Sequence, residues 1–397
     1  MIPVSKAASI VERACNPLGT ERIALPDSVN RVLTEDVVAD TDLPPFDRAQ
    51  MDGYALRARD TRKVPVDLEV VGESAAGHGW HHELKSGQAV RIMTGAPVPA
   101  GADSVQKIEL AKEMKGIVSL IDKVPKRQNI VLKGTEIRKG EVVLKTGTLV
   151  TPEMIATLAA FGYAKVKVAR RPRVTIIPTG SEIVPIGRKP KLDQIRDSNS
   201  VMLKAFCDRA GAAATVLQNV GDELEGLTRT IRAALRNSDI VVTTGGVSVG
   251  KYDLTKAAFK KLGAGLLFEK VAVKPGKPAV FAVRGKKLLF GLPGNPVSAA
   301  VTFHLFVRRA IMAMQSAGQA PPDRGFAVLN SPLKGNRLRD TYHAATFASS
   351  ADGKLIAVPL PSAGSADLVA FARAEALIVV PKAMTFAAGD VVEVEFL

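Results

Sequence analysis

Gly245 to Lys251 reads Gly-Gly-Val-Ser-Val-Gly-Lys, the G-x-x-x-x-G-K spacing of a phosphate-binding loop. In nucleotide hydrolases the residue after that lysine is Ser or Thr, because its hydroxyl holds the magnesium ion. Here it is Tyr252, whose phenol is too long for the task, and the next residue is Asp253. A carboxylate can hold magnesium in a different geometry. The stretch therefore points to an anionic ligand and away from Walker-type hydrolysis.

Three further loops have related chemistry: Thr179-Gly180-Ser181-Glu182-Ile183, Lys274-Pro275-Gly276-Lys277-Pro278, and Gly291 to Ser298, which reads GLPGNPVS. All four are expected just after a strand. Glycines such as Gly245 and Gly246 let backbone N–H groups approach an oxyanion, with Ser248 adding a hydroxyl. Lys274 and Lys277, fixed among prolines that include Pro278, are point charges suited to an anion. Pro293, Asn295, Pro296 and Ser298 shape the fourth loop, and helix N-termini at Asp253 and Asn295 would turn positive dipole ends toward the ligand. Glu182, Asp222 and Asp253 could supply carboxylates to a magnesium ion; each alone is as well explained as a cap or a solvated acid. Two more constrained loops lie earlier, PPFDRAQMDGYAL (44–56) with Asp47 and Asp52, and RIMTGAPVPAGAD (91–103) with Thr94. The histidines of GHGWHHE, His78, His81 and His82, lack the additional ligand cluster that a metal centre needs.

The charge distribution agrees with an anionic ligand. Of the net +15, residues 170–320 carry +14, from 24 Lys and Arg against 10 Asp and Glu; residues 1–169 carry +2 and residues 321–397 carry −1. That segment has no interleaved aromatics and no helix-turn-helix, zinc-finger or RNP pattern, which excludes the usual nucleic-acid readers. A small polyanion is the better partner. Two cysteines, Cys15 and Cys207, make neither a disulfide framework nor a zinc cluster, and the first fifteen residues lack the shape of a signal peptide. A cytoplasmic protein is expected. The uncharged run Leu288 to Val307 has the length of a membrane span, but Pro293-Gly294-Asn295-Pro296 divides it into strand, turn and buried helix.

These loops need elements to hold them. Residues 5–15 form an amphipathic helix, and residues 45–147 are short strand-like runs separated by Gly, Pro and Asp. A helix starts at Thr151-Pro152. From Arg173 the pattern alternates: strands at 174–177, 239–243 and 288–290, helices at 200–210, 226–235, 254–262 and 296–314. Such alternation predicts a parallel sheet with helices on both faces and its loops gathered along the ligand-binding edge. Pro321-Pro322 marks a linker, and the last 75 or so residues are short strands forming a small β domain.

Five motifs in register, LPPFDRAQMDGYA, RIMTGAPVPAGAD, VVTTGGVSVGKYD, VKPGKPAVFA and GLPGNPVSAAVTF, closely resemble the molybdopterin molybdenumtransferase family, that is MoeA and the E domain of gephyrin. The resemblance covers essentially the whole chain. It implies four parts: an N-terminal helical and linker domain (1–44 and 148–170), a β-rich inserted domain (45–147), a three-layer α/β/α molybdopterin-binding domain (171–320) and a small β-barrel-like C-terminal domain (321–397). It implies insertion of molybdate into adenylylated molybdopterin with magnesium-dependent release of AMP, in a homodimer whose sites are shared between subunits. Asp253 then matches the acid implicated in cleaving the adenylate. Lys274, Lys277, Pro278 and Ser298 match residues near molybdate, and Asp52 and Thr94 match those that the neighbouring subunit brings to the cleft. Further partners implied are a molybdopterin adenylyltransferase and apo-molybdoenzymes, with no nucleic acid and no membrane.

The sequence departs from the family at three places. Its TGDE motif is Thr179-Gly180-Ser181-Glu182 here, and its GED loop is Gly134-Thr135-Glu136. In the C-terminal part, Thr341-Tyr342-His343-Ala344 and the stretch from Gly364 to Ala370 stand where the family has an Arg and a Ser for the oxyanion. Arg337, Arg339 and Ser365 are the candidates to replace them. The alternatives kept open are a tungstate-inserting paralogue and a pterin-binding carrier that does not turn its ligand over.

Overall fold

A computed structural model describes residues 1–246, 254–318 and 324–397; Ser248 and Asp253 lie outside the described residues. The chain divides into two compact units. One comprises Met1–Glu35, Thr146–Ile155 and Lys165–Leu397; the other comprises Asp36–Lys145 and Ala156–Ala164.

The larger unit is built on a six-stranded sheet. In chain order its strands are β1 (Arg173–Pro178), β2 (Ala213–Val216), β3 (Ile240–Thr244), β4 (Gly265–Phe268), β5 (Val280–Arg284) and β6 (Lys287–Leu292), and they lie side by side as β2-β1-β3-β6-β5-β4. Alternate side chains along a strand point to opposite faces. Val174, Ile176, Ile240, Val242, Leu288 and Phe290 accordingly enter one core cluster, and Ile177, Val241 and Leu289 enter another. On the first face lie the N-terminal helix Val4–Ala14, α1 (Asn199–Arg209) and the long helix from Pro296 to Met314, which contains one π turn, Phe303–Val307. On the second lie α2 (Leu224–Asn237) and α3 (Leu254–Lys261). This is the expected three-layer arrangement. The Pro296–Met314 helix is long and apolar enough to cross a membrane, yet 83% of it is buried within the protein. It is a core helix.

The sheet departs from the expected parallel pattern at one side. β1, β2, β3 and β6 run parallel, whereas β5 is antiparallel to β6 and β4 is antiparallel to β5. Only Gly285 and Lys286 separate β5 from β6, so they form a hairpin, and β5 is not among the strands expected from the sequence.

The C-terminal strands β7 (Arg324–Leu329), β8 (Asp340–Ser349), β9 (Leu355–Pro359), β10 (Ala376–Val380) and β11 (Val391–Phe396) pair in the ring β8-β9-β7-β11-β10-β8, a closed five-stranded barrel. Closure leaves no free sheet edge. The barrel belongs to the same unit: Val273–Lys274 pairs in parallel with β8, and Tyr342, Leu377 and Val379 join the first core cluster. One ten-residue strand and a short helix, Leu368–Phe371, interrupt the expected series of short strands.

The smaller unit has its own six-stranded sheet with two apolar clusters. Its strand Gly53–Leu56 pairs on both sides. A Cβ on Gly53 would lie 1.8 Å from the Gln106 carbonyl oxygen, so only glycine fits after Asp52.

Candidate functional site

The carboxyl ends of β1, β3 and β6 open into a cavity of about 760 Å3. Its floor is backbone. Gly245 has φ +96°, and a Cβ there would lie 2.5 Å from the Thr179 carbonyl oxygen. Gly246 has φ +63°, and Gly294 lies against Gly245. A side chain at Gly245 would both strain the backbone and fill the approach between the β1 and β3 loops.

Eight of the residues singled out from the sequence line this one cavity: Glu182, Asp222, Gly245, Gly246, Pro278, Pro293, Asn295 and Pro296. Glu182 and Asp222 are exposed carboxylates on its wall, and Asp222 Oδ2 accepts the Ser181 N–H at 3.1 Å. The Ser181 backbone N–H thus ties the Asp222 carboxylate to the loop of Glu182. Among the described residues no three His, Cys, Asp or Glu side chains are placed to share a metal ion.

The Lys274 loop lies just after a strand of the central sheet, β4, as expected. It precedes β5, so it connects the carboxyl end of one edge strand to the start of its antiparallel neighbour. Because β5 runs antiparallel, its first residue, Val280, pairs with Gly291 near the carboxyl end of β6. Pro278 then lines the cavity, whereas the exposed Lys274 and Lys277 and the buried Ser298 are not among its lining residues. A Cβ on Gly276 would lie 2.6 Å from Thr302 Cγ2 and 3.6 Å from the Ser298 carbonyl oxygen, so the loop packs on the first turns of the long helix. Lys274 also bears on His343 of β8: burial first, then the Lys274 charge, push the imidazole below its ordinary value, and its Nε2 is buried without a partner.

The N-terminus of the long helix is already partnered. The Val297 N–H donates to the Ser365 carbonyl oxygen at 3.1 Å, and Asn295 Nδ2 donates to Ser365 Oγ at 2.7 Å. Asn295 is the N-cap by position but makes no side-chain cap bond. The expected anion-binding role of this terminus is reduced accordingly, since a loop of the same chain takes the Val297 donor. That loop also sends Ala366 and Leu368 into the cavity lining.

Asp52 and Thr94 belong to the smaller unit, where they bond each other: the Thr94 N–H and hydroxyl donate to Asp52 Oδ1 at 2.6 and 2.9 Å. The N–H bond foremost, and then the hydroxyl, lowers the Asp52 carboxyl below its ordinary value. A carboxylate held this way stays ionised at neutral pH.

Sequence reasoning missed Asp197, Asn199 and Thr244. Asp-Ser-Asn before a helix reads as ordinary capping material, and Asp197 Oδ1 does accept the Ser200 N–H at 3.0 Å while lining the cavity. A capping pattern carries no signal for a second role. Ala366 and Leu368 lie in the Gly364 to Ala370 stretch that the resemblance marked, but nothing in their own residue types signals a place in the cavity lining.

Comparison with known proteins bears on this arrangement. Residues 2–162 match the MoeA N-terminal region (domains I and II), residues 175–313 a probable molybdopterin-binding domain, and residues 327–397 the MoeA C-terminal region (domain IV). The chain is 40% identical over 392 residues to the molybdopterin molybdenumtransferase of Bacillus subtilis, covering 96% of this chain and 90% of that one. It is 34% identical over 399 residues to that of Staphylococcus aureus strain Mu50, covering 99% and 95%. The crystal structure of a molybdopterin biosynthesis MoeA protein from Pyrococcus horikoshii OT3 superposes with a TM-score of 0.86 at 30% identity, covering 100% of both chains.

Proposed function

Because this chain belongs to the molybdopterin molybdenumtransferase family of molybdenum cofactor biosynthesis, we propose that its cavity binds adenylylated molybdopterin and that the protein inserts molybdate there, releasing AMP. One observation carries this reading: eight residues singled out for binding an anion or its magnesium ion, from five separate stretches of sequence, line a single cavity at the loop edge of the sheet. Open α/β sheets bind ligands at that edge.

In this reading the glycine floor and its loops receive the phosphates, with backbone N–H groups as donors. Lys274 and Lys277, exposed on a loop that Gly276 packs against the helix, offer their ammonium groups to the incoming oxyanion. Asp52 and Thr94 of a second subunit complete the cleft in a homodimer, with Asp52 already ionised through its Thr94 bonds. Glu182 and Asp222 suit magnesium, which binds through one or two carboxylates and keeps waters and substrate phosphates as its other ligands. Asp253 is a further carboxylate for it. Magnesium bound there would neutralise charge developing on the phosphoanhydride as AMP leaves. Ser365, hydrogen-bonded to the cavity residue Asn295, stands in for the family's C-terminal serine in this reading.

Lys274→Ala tests the assignment. Losing a charged donor to an anion costs about 1.5–3 kcal/mol, or roughly a tenfold to hundredfold rise in the molybdate concentration needed for half-maximal AMP release. Affinity for the adenylylated pterin should stay within about twofold, since every 1.4 kcal/mol is tenfold and this ligand keeps its own contacts. Equal losses for both ligands would refute the placement of molybdate at Lys274.

A further inference from the structure

Asn199 is the first residue of α1 and lies in the cavity wall. Its side chain is buried, with 9% of the residue's surface exposed. The amide Nδ2 donates to Thr244 Oγ1 at 3.0 Å and to the Gly294 carbonyl oxygen at 2.7 Å. Thr244 Oγ1 in turn donates to the Pro293 carbonyl oxygen at 3.4 Å, and the Gly245 N–H donates to the Leu292 carbonyl oxygen at 3.1 Å. One side chain from the third wall thus ties together the ends of β3 and β6, the two turns that form the cavity floor. Both amide protons are used, so the amide orientation is fixed: a rotated amide would set Oδ1 against the Gly294 carbonyl, and two acceptors repel. Asn199 Oδ1 is left buried with no partner. A buried amide oxygen without a partner is costly and is retained where the other end of the amide has a task.

We infer that Asn199 is a positioning residue for substrate binding: its amide fixes the spacing of the Thr244-Gly245 and Pro293-Gly294 turns, and through them the N–H groups and walls that meet the ligand. This rests on the reading of the cavity as the adenylylated-pterin site. Asn219 provides an internal comparison. Its Nδ2 donates to the Gly180 and Ile183 carbonyl oxygens at 2.8 and 3.1 Å, which holds the loop of Glu182, and its Oδ1 is likewise buried without a partner. The two asparagines make the same kind of tie on different walls.

The test measures dissociation constants for adenylylated molybdopterin and thermal midpoints on the full-length protein, parent and variants together. Binding by the parent checks the reading of the cavity; the ratio of variant to parent checks the role of Asn199. Asn199→Ala should weaken binding about tenfold or more, as expected for losing two buried hydrogen bonds to the floor. Asn219→Ala, with a similar loss of bonds, should shift the midpoint comparably and impair AMP release more than binding. Asn199→Asp supplies a chemical check. Its carboxylate has no donor, but on acidification the protonated form donates one hydrogen bond, so its binding should recover toward the parent as pH falls while that of Asn199→Ala does not. An Asn199→Ala protein with a lowered midpoint and parental affinity would overturn the inference, as would pH-independent binding by Asn199→Asp. If Asn199→Ala does not fold, the pH dependence of Asn199→Asp decides alone.

Discussion

His304 shows how a single buried base couples this fold to pH. It sits in the π turn of the long helix, edge-on to the Phe206 ring at 4.8 Å, with Nε2 buried and unpartnered. Burial first, and then the charges of Arg209 and Arg308, push its imidazole from 6.5 down to about 3. The folded state therefore holds a neutral ring while the unfolded chain takes up a proton below about pH 6.5, so the unfolded state binds more protons in that window. Stability contributed by the neutral ring is fully present above pH 6.5 and is lost as pH falls toward 3. His304→Phe should remove this dependence: urea midpoints of the parent should drop between about pH 7 and 5, and those of the variant should drop less. Equal drops would show that His304 does not titrate on unfolding. Nothing in the sequence around His304 announces this role, since a histidine at an apolar helix position has the same local pattern whether it is buried or exposed. The loops of Asp52 and Thr94 stand out in the sequence by the prolines and glycines that confine them, and the two side chains bond each other.

At the scale of elements, the helices of residues 173–314 and the strands β1, β3 and β6 were readable from apolar runs and from helix signals such as Asn295-Pro296, whereas β2, β4 and β5 were not named. Directions were not readable. β5 and β6 are each an apolar run, and a run of apolar residues is the same in a hairpin as in a crossover; only the two residues between them could have told the difference. The Lys274 loop still follows a strand, β4, and Val280 after it pairs with Gly291 near the carboxyl end of β6. β5 and β6 also hold the core together through a ring stack, Phe281 on Phe290 at 4.6 Å between centroids. Phe290 is 1% exposed, so Phe290→Ala should cost about 3–5 kcal/mol in unfolding free energy. Phe326, 72% exposed on the barrel strand β7, should tolerate the same change within about 0.5 kcal/mol. Denaturant melts of the two variants check the contrast, and comparable losses would mean that the barrel exterior packs more than its exposure indicates.

Over the whole molecule, the charge asymmetry was legible by counting, while the assembly of the cavity was only half legible. Glu182, Asp222 and the glycines announced themselves by type. Asn199 and Thr244 did not, because each acts through a contact made across tens of residues, as in the 3.0 Å bond from Asn199 to Thr244. The excess of +14 over residues 170–320 should steer anionic ligands toward this domain. The association rate of adenylylated molybdopterin should accordingly fall about tenfold between roughly 0.02 and 0.5 M salt, with dissociation changing less. A salt-independent association rate would mean that the cations play no part in capture.

The most direct test of the account is AMP release from adenylylated molybdopterin by the full-length protein with magnesium, compared in the presence of molybdate, tungstate or neither. The account predicts release that requires molybdate. Tight pterin binding with no release under any of the three conditions would contradict it.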